Sequence, residues 1–162
     1  LAQLHRAHDE TVAGSTLSLA GKANPLSKMV RSNRQAAMMG MVVIPIFGGY
    51  DLRRECGRLW DYDATGGRYE ERSHVATGSG SLHAGTVIKV GYRPEMSRDE
   101  AVDLAVRSLW EAADADTATG GPDALRGIYP VVAVIGAGGW DRLADDDLAP
   151  RFEAIVEEVR SR

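Results

Sequence analysis

Three polar side chains of the sequence sit where they could handle a proton. Ser79 lies in the run Gly78-Ser79-Gly80-Ser81, at a corner where an extended stretch gives way to a helical one. Asp116 and Thr119 follow a long helical stretch and enter the loop Thr119-Gly120-Gly121-Pro122. An aspartate three residues before a hydroxyl, in a Gly-rich loop, can orient an amine or a water. The same spacing also describes a turn held by side-chain caps, so spacing leaves both readings open.

Other groups carry less. His5 and His8 are three apart on a helical pattern, without an evident carboxylate partner nearby in sequence. The run Asp145-Asp146-Asp147 could attract a hard cation, but it falls at a helix start, where acids complement the dipole. Neither Gly-rich run is followed by Gly-Lys-Ser/Thr, and no Gly-x-Gly-x-x-Gly stands between a strand and a helix. Phosphate-loop and dinucleotide chemistry are set aside on those grounds. With one cysteine, Cys56, the 162 residues hold neither an internal disulfide nor a Cys-based zinc site. Cys56 is expected in a connecting loop.

The elements around these groups follow from periodicity and punctuation. Ser15 or Thr16 can cap a helical segment running towards Met39, with a kink or fresh start expected at Pro25. Residues 41–47 (Met-Val-Val-Ile-Pro-Ile-Phe) read as a strand covered on both faces and ended by Gly48-Gly49. Residues 58–62 and 68–72 alternate around the turn 63–67, a hairpin signal. A short strand at 75–77 and a helix over 82–90 bracket Ser79. Ser97 with Glu100 three residues on is a capping box for a helix to about Asp114, striped by Ala101, Ala105, Leu109 and Ala112. Residues 128–135 read as a strand, a Gly-rich turn leads into a partner at 140–143, and a last helix spans 148–161. This order predicts an α+β fold of packed layers in a single domain over residues 1–162.

Composition sets the outer limits. A chain of this length can bury an ordinary core, and 44% hydrophobic with 26% charged residues excludes disordered, coiled-coil and collagen-like classes. No apolar run reaches the ~18–20 residues a bilayer span needs. The net charge of −4 and 6% aromatic content argue against a nucleic-acid partner, which would need a basic stripe interleaved with aromatics. The first residue is Leu1, and Leu1, Leu4 and His8 share helical spacing. No signal peptide is evident, and a piece of a longer protein is expected.

Several runs together resemble one family. These are Leu19-Ala20-Gly21-Lys22-Ala23-Asn24, Met29-Val30-Arg31-Ser32-Asn33, Gly49-Tyr50-Asp51, Gly78-Ser79-Gly80-Ser81 and Asp116-Thr117-Ala118-Thr119-Gly120-Gly121-Pro122-Asp123. They are similar to the proteasome β subunit of actinobacterial type. The run 118–123, followed by Arg126-Gly127-Ile128-Tyr129-Pro130, is the most specific piece. The similarity covers essentially the whole chain.

The resemblance implies a four-layer αββα sandwich of the N-terminal-nucleophile hydrolases, here without the first strands and the start of the first helix. It implies a threonine endopeptidase that degrades unfolded protein or peptide inside a barrel. In that family an N-terminal threonine attacks, and its own amine manages the proton with help from a lysine and an aspartate of early strands. None of those parts can be placed in this sequence, so the 162 residues by themselves are expected to be inactive. Ser79 matches the serine that hydrogen-bonds the threonine amine, and Asp116 matches the aspartate beside it. Thr119 stands where many members carry serine, and it keeps the hydroxyl. Asp63 resembles an acidic position lining a neighbouring subunit's substrate pocket.

By the same resemblance, the partners are other β subunits in a heptameric ring, proteasome α subunits and, indirectly, a regulatory ATPase. The location is the cytoplasm, without cofactor, metal, nucleic acid or membrane. Two alternatives stay open: a non-catalytic structural β-type subunit, and the related two-component heat-shock peptidase. The second shares the surroundings of Ser79 but lacks the Thr-Gly-Gly-Pro-Asp loop.

Overall fold

The computed structural model describes residues 17–161. The expected helix start at Leu1, Leu4 and His8, and the caps at Ser15 or Thr16, lie outside them. The chain forms two compact units, Leu1–Arg72 and Ser73–Arg162.

In the first unit, α1 (Leu19–Ser32) begins at Ser18, whose side chain accepts from the Gly21 N–H at 3.1 Å. Pro25 lies inside this helix, which neither stops nor restarts there. A proline deletes one donor and crowds one carbonyl, and the early position of Pro25 confines both effects to the first two turns. The break comes instead at Asn33, whose side chain donates to the Met29 carbonyl at 2.8 Å. A short α2 (Arg34–Met38) follows.

The strand expected at 41–47 is displaced. β1 is Ile46–Asp51, it contains Gly48 and Gly49, and the apolar residues before Pro45 are outside any ladder. Val43 is 76% exposed rather than covered on both faces. Proline has no N–H to give a ladder, so pairing starts just after it. The glycines are used for closeness: a Cβ at Gly49 would come within 2.6 Å of Leu19 Cδ1, so α1 lies directly on the strand.

β2 (Cys56–Tyr62) pairs antiparallel with β1 and with β3 (Arg68–Glu71), as the alternation around 63–67 predicts. Cys56 opens β2 as an exposed residue instead of occupying a connecting loop. The core here is small: Ala23, Trp60 and Tyr62, flanked by Leu19, Ala20, Leu26 and Phe47. The Tyr62 hydroxyl donates to the Ala23 carbonyl at 2.7 Å, which satisfies a buried polar group and ties sheet to helix. On the sheet, the Arg58 guanidinium stacks 4.7 Å from the Trp60 ring and pairs with Asp51 and Glu70.

In the second unit, residues 75–77 form no strand and lead into α3 (Ser81–Gly91). α4 (Arg98–Ala115) starts on the expected capping box, with Ser97 N–H donating to Glu100 at 2.8 Å and Glu100 N–H to the Ser97 hydroxyl at 3.3 Å. α3 and α4 form an antiparallel pair. A Cβ at Gly91 would sit 2.5 Å from Leu104 Cδ1 at one end, and a Cβ at Gly80 would sit 3.1 Å from Ala112 Cβ at the other.

The buried side of α4 differs from the expected stripe. Val102, Val106, Ser108 and Ala112 are buried, while Ala101 and Leu109 are exposed. Two neighbours claim two faces of this helix, so its burial follows neither a single stripe nor small residues alone. Of residues 128–135, only the end is a strand. β4 (Ala133–Gly136) pairs with β5 (Gly139–Arg142), and Ile128 makes an isolated bridge to Asp123.

α5 (Asp145–Arg160) carries its three aspartates in the first turn, where the dipole favours them. Its residues Leu148, Phe152 and Ile155 close a core with Val102, Val106, Val132 and Leu143. Arg107 with Glu158, and Arg151 with Asp99 and Asp103, lace the rim between α4 and α5. Helices and antiparallel strands in both units make the chain α+β. Among the described residues, no helix is long and apolar enough to cross a membrane.

Candidate functional site

The antiparallel pairing of α3 and α4 decides what meets what. It sets the N-terminus of α3 beside the C-terminus of α4, and so brings Ser79, just ahead of α3, to Asp116, just past α4. Three of the four sequence candidates therefore form one cluster. The Thr119 hydroxyl donates to Asp116 Oδ2 at 2.6 Å, and the Ala118 N–H donates to Oδ1 at 3.2 Å. The Thr119 N–H returns to the Asp116 carbonyl at 3.0 Å, closing the turn.

These contacts set the state of the carboxyl. A hydrogen bond from the Ser79 side chain, then those from Thr119 and the Ala118 N–H, hold Asp116 below the usual carboxylate range. The charge of nearby His83, in the first turn of α3, acts in the same direction. A lone aspartate at a helix C-terminus would be disfavoured by the negative end of the dipole. The hydrogen-bond donors overcome that, and the carboxyl is held below its ordinary value.

An ionised, hydrogen-bonded carboxylate is a poor base towards an alcohol, so Asp116 does not turn Ser79 or Thr119 into an attacking oxygen. It is well suited to another task. A fixed negative charge beside two hydroxyls can hold an amine, favour its proton-bearing form and set its direction. Ser79 and the partly exposed Asp116 can both be reached from solvent.

Asp63 lies in the other unit and is used differently. Its Oδ1 accepts from the Thr65 N–H at 2.8 Å, the Thr65 hydroxyl at 2.7 Å and the Gly67 N–H at 2.8 Å. Its Oδ2 accepts from the Tyr69 hydroxyl at 2.8 Å. The Thr65 hydroxyl, the Gly67 N–H and the Tyr69 hydroxyl together hold this carboxyl far below the usual range. Ser27 in turn donates to the Gly66 carbonyl at 2.8 Å, fastening the same loop to α1. As the chain stands, Asp63 organises the β2–β3 turn.

Asp145, Asp146 and Asp147 stay in the first turn of α5, and His5 and His8 lie outside the described residues. Among the described residues, no cluster of three or more His, Cys, Asp or Glu is placed to hold a metal ion. Sequence reasoning passed over two residues at the cluster, Gly80 and His83. The signal for Gly80 was the alternation of glycine and serine at a corner; His83 left none, because its neighbour Asp116 is far away in sequence.

Comparisons with known proteins add an independent finding. The family model described as "Proteasome subunit" matches residues 2–125. "Proteasome subunit beta" of Streptomyces griseus is 49% identical over 157 residues, 97% of this chain and 56% of that protein. Its counterpart from Acidimicrobium ferrooxidans is 49% identical over 160 residues, 99% of this chain and 59% of that protein. The one from Frankia casuarinae is 45% identical over 158 residues, covering 98% and 58%. The chain thus spans somewhat over half the length of these curated relatives.

Proposed function

The chain belongs to the proteasome subunit family, and on that premise we propose that it is the later part of a threonine endopeptidase. In this reading residues 1–162 form one β-type domain, with the layers of the αββα sandwich completed by segments outside these residues. The attacking hydroxyl is that of an N-terminal threonine also supplied from outside them. Ser79, Asp116 and Thr119 receive its amine.

The proton path in this reading is the one the family resemblance implies. The amine accepts the hydroxyl proton as the oxygen attacks the peptide carbonyl, and later gives a proton to the leaving nitrogen. Asp116 stabilises the ammonium form in between, and the Ser79 and Thr119 hydroxyls fix its position. Asp63, through the turn it braces, would shape a surface towards a neighbouring subunit's substrate. The assembly is a β ring stacked with α rings and served indirectly by an ATPase, in the cytoplasm.

The observation that carries this reading is the junction of Ser79, Asp116 and Thr119 into one ionised, hydroxyl-flanked carboxylate. Ser79→Ala in the intact, assembled protein tests it. Peptide turnover is expected to fall about tenfold or more, the loss of one hydrogen bond to a charged group, with ring mass unchanged by native mass measurement. Intact rings that never hydrolyse peptide, with or without Ser79, would assign the chain to a structural subunit instead.

A further inference from the structure

Gly80 is buried and forms the N-cap of α3, at the point where α3 meets α4. A Cβ placed on it would stand 2.6 Å from Thr119 Oγ1, 3.1 Å from Ala112 Cβ and 3.5 Å from Asp116 Oδ2. The first distance is too short for any real carbon, so something must move. Ala112 belongs to the body of α4 and cannot rotate away. The Thr119 side chain can, and turning it takes its hydroxyl off Asp116, where it now donates at 2.6 Å. Backbone strain does not enter, because Gly80 has φ −80 and ψ 4, which any residue adopts.

We propose that Gly80 is a positioning residue, and that its missing side chain leaves the space in which Thr119 closes onto Asp116. This rests on the peptidase reading above and deepens it. Glycine is needed here for clearance rather than for conformational freedom. Gly78 is different: it has φ +100 and nothing within 4 Å of its added Cβ. The two glycines flanking Ser79 therefore do separate things, one bending the chain and the other admitting a neighbour.

The test uses the intact, assembled protein in four forms: native, Gly80→Ala, Thr119→Ala and the double variant. Gly80→Ala is expected to lower kcat on the order of 100-fold, as for a small misplacement of reacting groups, with KM little changed. A structure of that variant is expected to have the Thr119 hydroxyl beyond 3.5 Å from Asp116. In the Thr119→Ala background the added methyl has no hydroxyl to displace, so Gly80→Ala should then cost little further turnover. Should Gly80→Ala rings fail to assemble, the double variant, which removes the 2.6 Å contact and leaves only the 3.1 Å approach to Ala112 Cβ, must assemble.

Three results would overturn the proposal: a Thr119–Asp116 hydrogen bond intact in Gly80→Ala, a full multiplicative loss in the double variant, or a double variant that also fails to assemble. Asp116→Asn, measured alongside, separates the two levels. If it too leaves turnover unchanged, the amine-holding role of the whole cluster falls; if it alone abolishes turnover, only the role of Gly80 does. Rings in which even the native protein never hydrolyses peptide overturn the peptidase reading.

Discussion

Asp116→Asn in the intact, assembled protein is expected to cut peptide turnover by on the order of 100-fold while ring mass stays the same. Asparagine keeps the shape of the side chain and one oxygen for the Thr119 hydroxyl, so the turn past α4 survives. It loses the charge that favours an ammonium over an amine. A steady-state assay beside a native mass spectrum checks it, and full activity in normal rings would remove Asp116 from the site.

The pH dependence carries the same information with a definite sign. Hydrogen bonds from Ser79, Thr119 and the Ala118 N–H hold the folded-state carboxyl below its ordinary value of 3.8. Its contribution to stability is therefore fully present above that value and is lost as pH falls through the lowered one. The Asn variant should lack this acid-side loss.

The second large effect lies in the core that fixes α4. Phe152 is 4% exposed, sits among Val102, Val106 and Leu148, and has its ring centroid 5.9 Å from that of Tyr129. Phe152→Ala is expected to cost roughly 3–5 kcal/mol, because the helices around the vacated volume relax only in part. That is a large share of the ~5–15 kcal/mol that typically separates folded from unfolded domains. Leu125→Ala is the control: Leu125 is fully exposed, and its truncation should stay within about 0.5 kcal/mol. Thermal unfolding of both variants against the native protein measures this. A Phe152→Ala protein as stable as the Leu125→Ala one would mean that α5 does not hold α4 in place.

What could be read from the sequence was what local rules decide. The capping box at Ser97, the hairpin around residues 63–67 and the acidic first turn of α5 depend on residues a few positions apart, and each stands where patterning put it. The misplaced pieces depend on distant partners. Apolar, β-branched residues 41–44 look like a strand, yet the ladder begins after Pro45, since the register with β2 pairs Ile46 with Asp61. The face of α4 was misread because two different neighbours bury it, one through Val102 and Val106 and the other through Ala112.

The site shows the same division. Asp116 and Thr119 are neighbours in a loop, and their spacing announced a contact. Ser79 reaches Asp116 only because α3 and α4 run antiparallel, which the sequence does not state. The resemblance supplied that association before the geometry did. Neither periodicity nor motif spacing could have found the clearance at Gly80, because it is defined by atoms 32 and 39 residues further along, on Ala112 and Thr119.

A high-resolution structure of the intact, assembled protein, with the N-terminal threonine proposed above in place, tests the central claim most directly. The quantity to read is the distance from that threonine's amine nitrogen to Ser79 Oγ and to the Asp116 carboxylate. The account predicts the amine within about 2.6–3.2 Å of Ser79 Oγ, or one water away, with Asp116 on its far side. An amine more than about 6 Å from both, held by other groups, would contradict it.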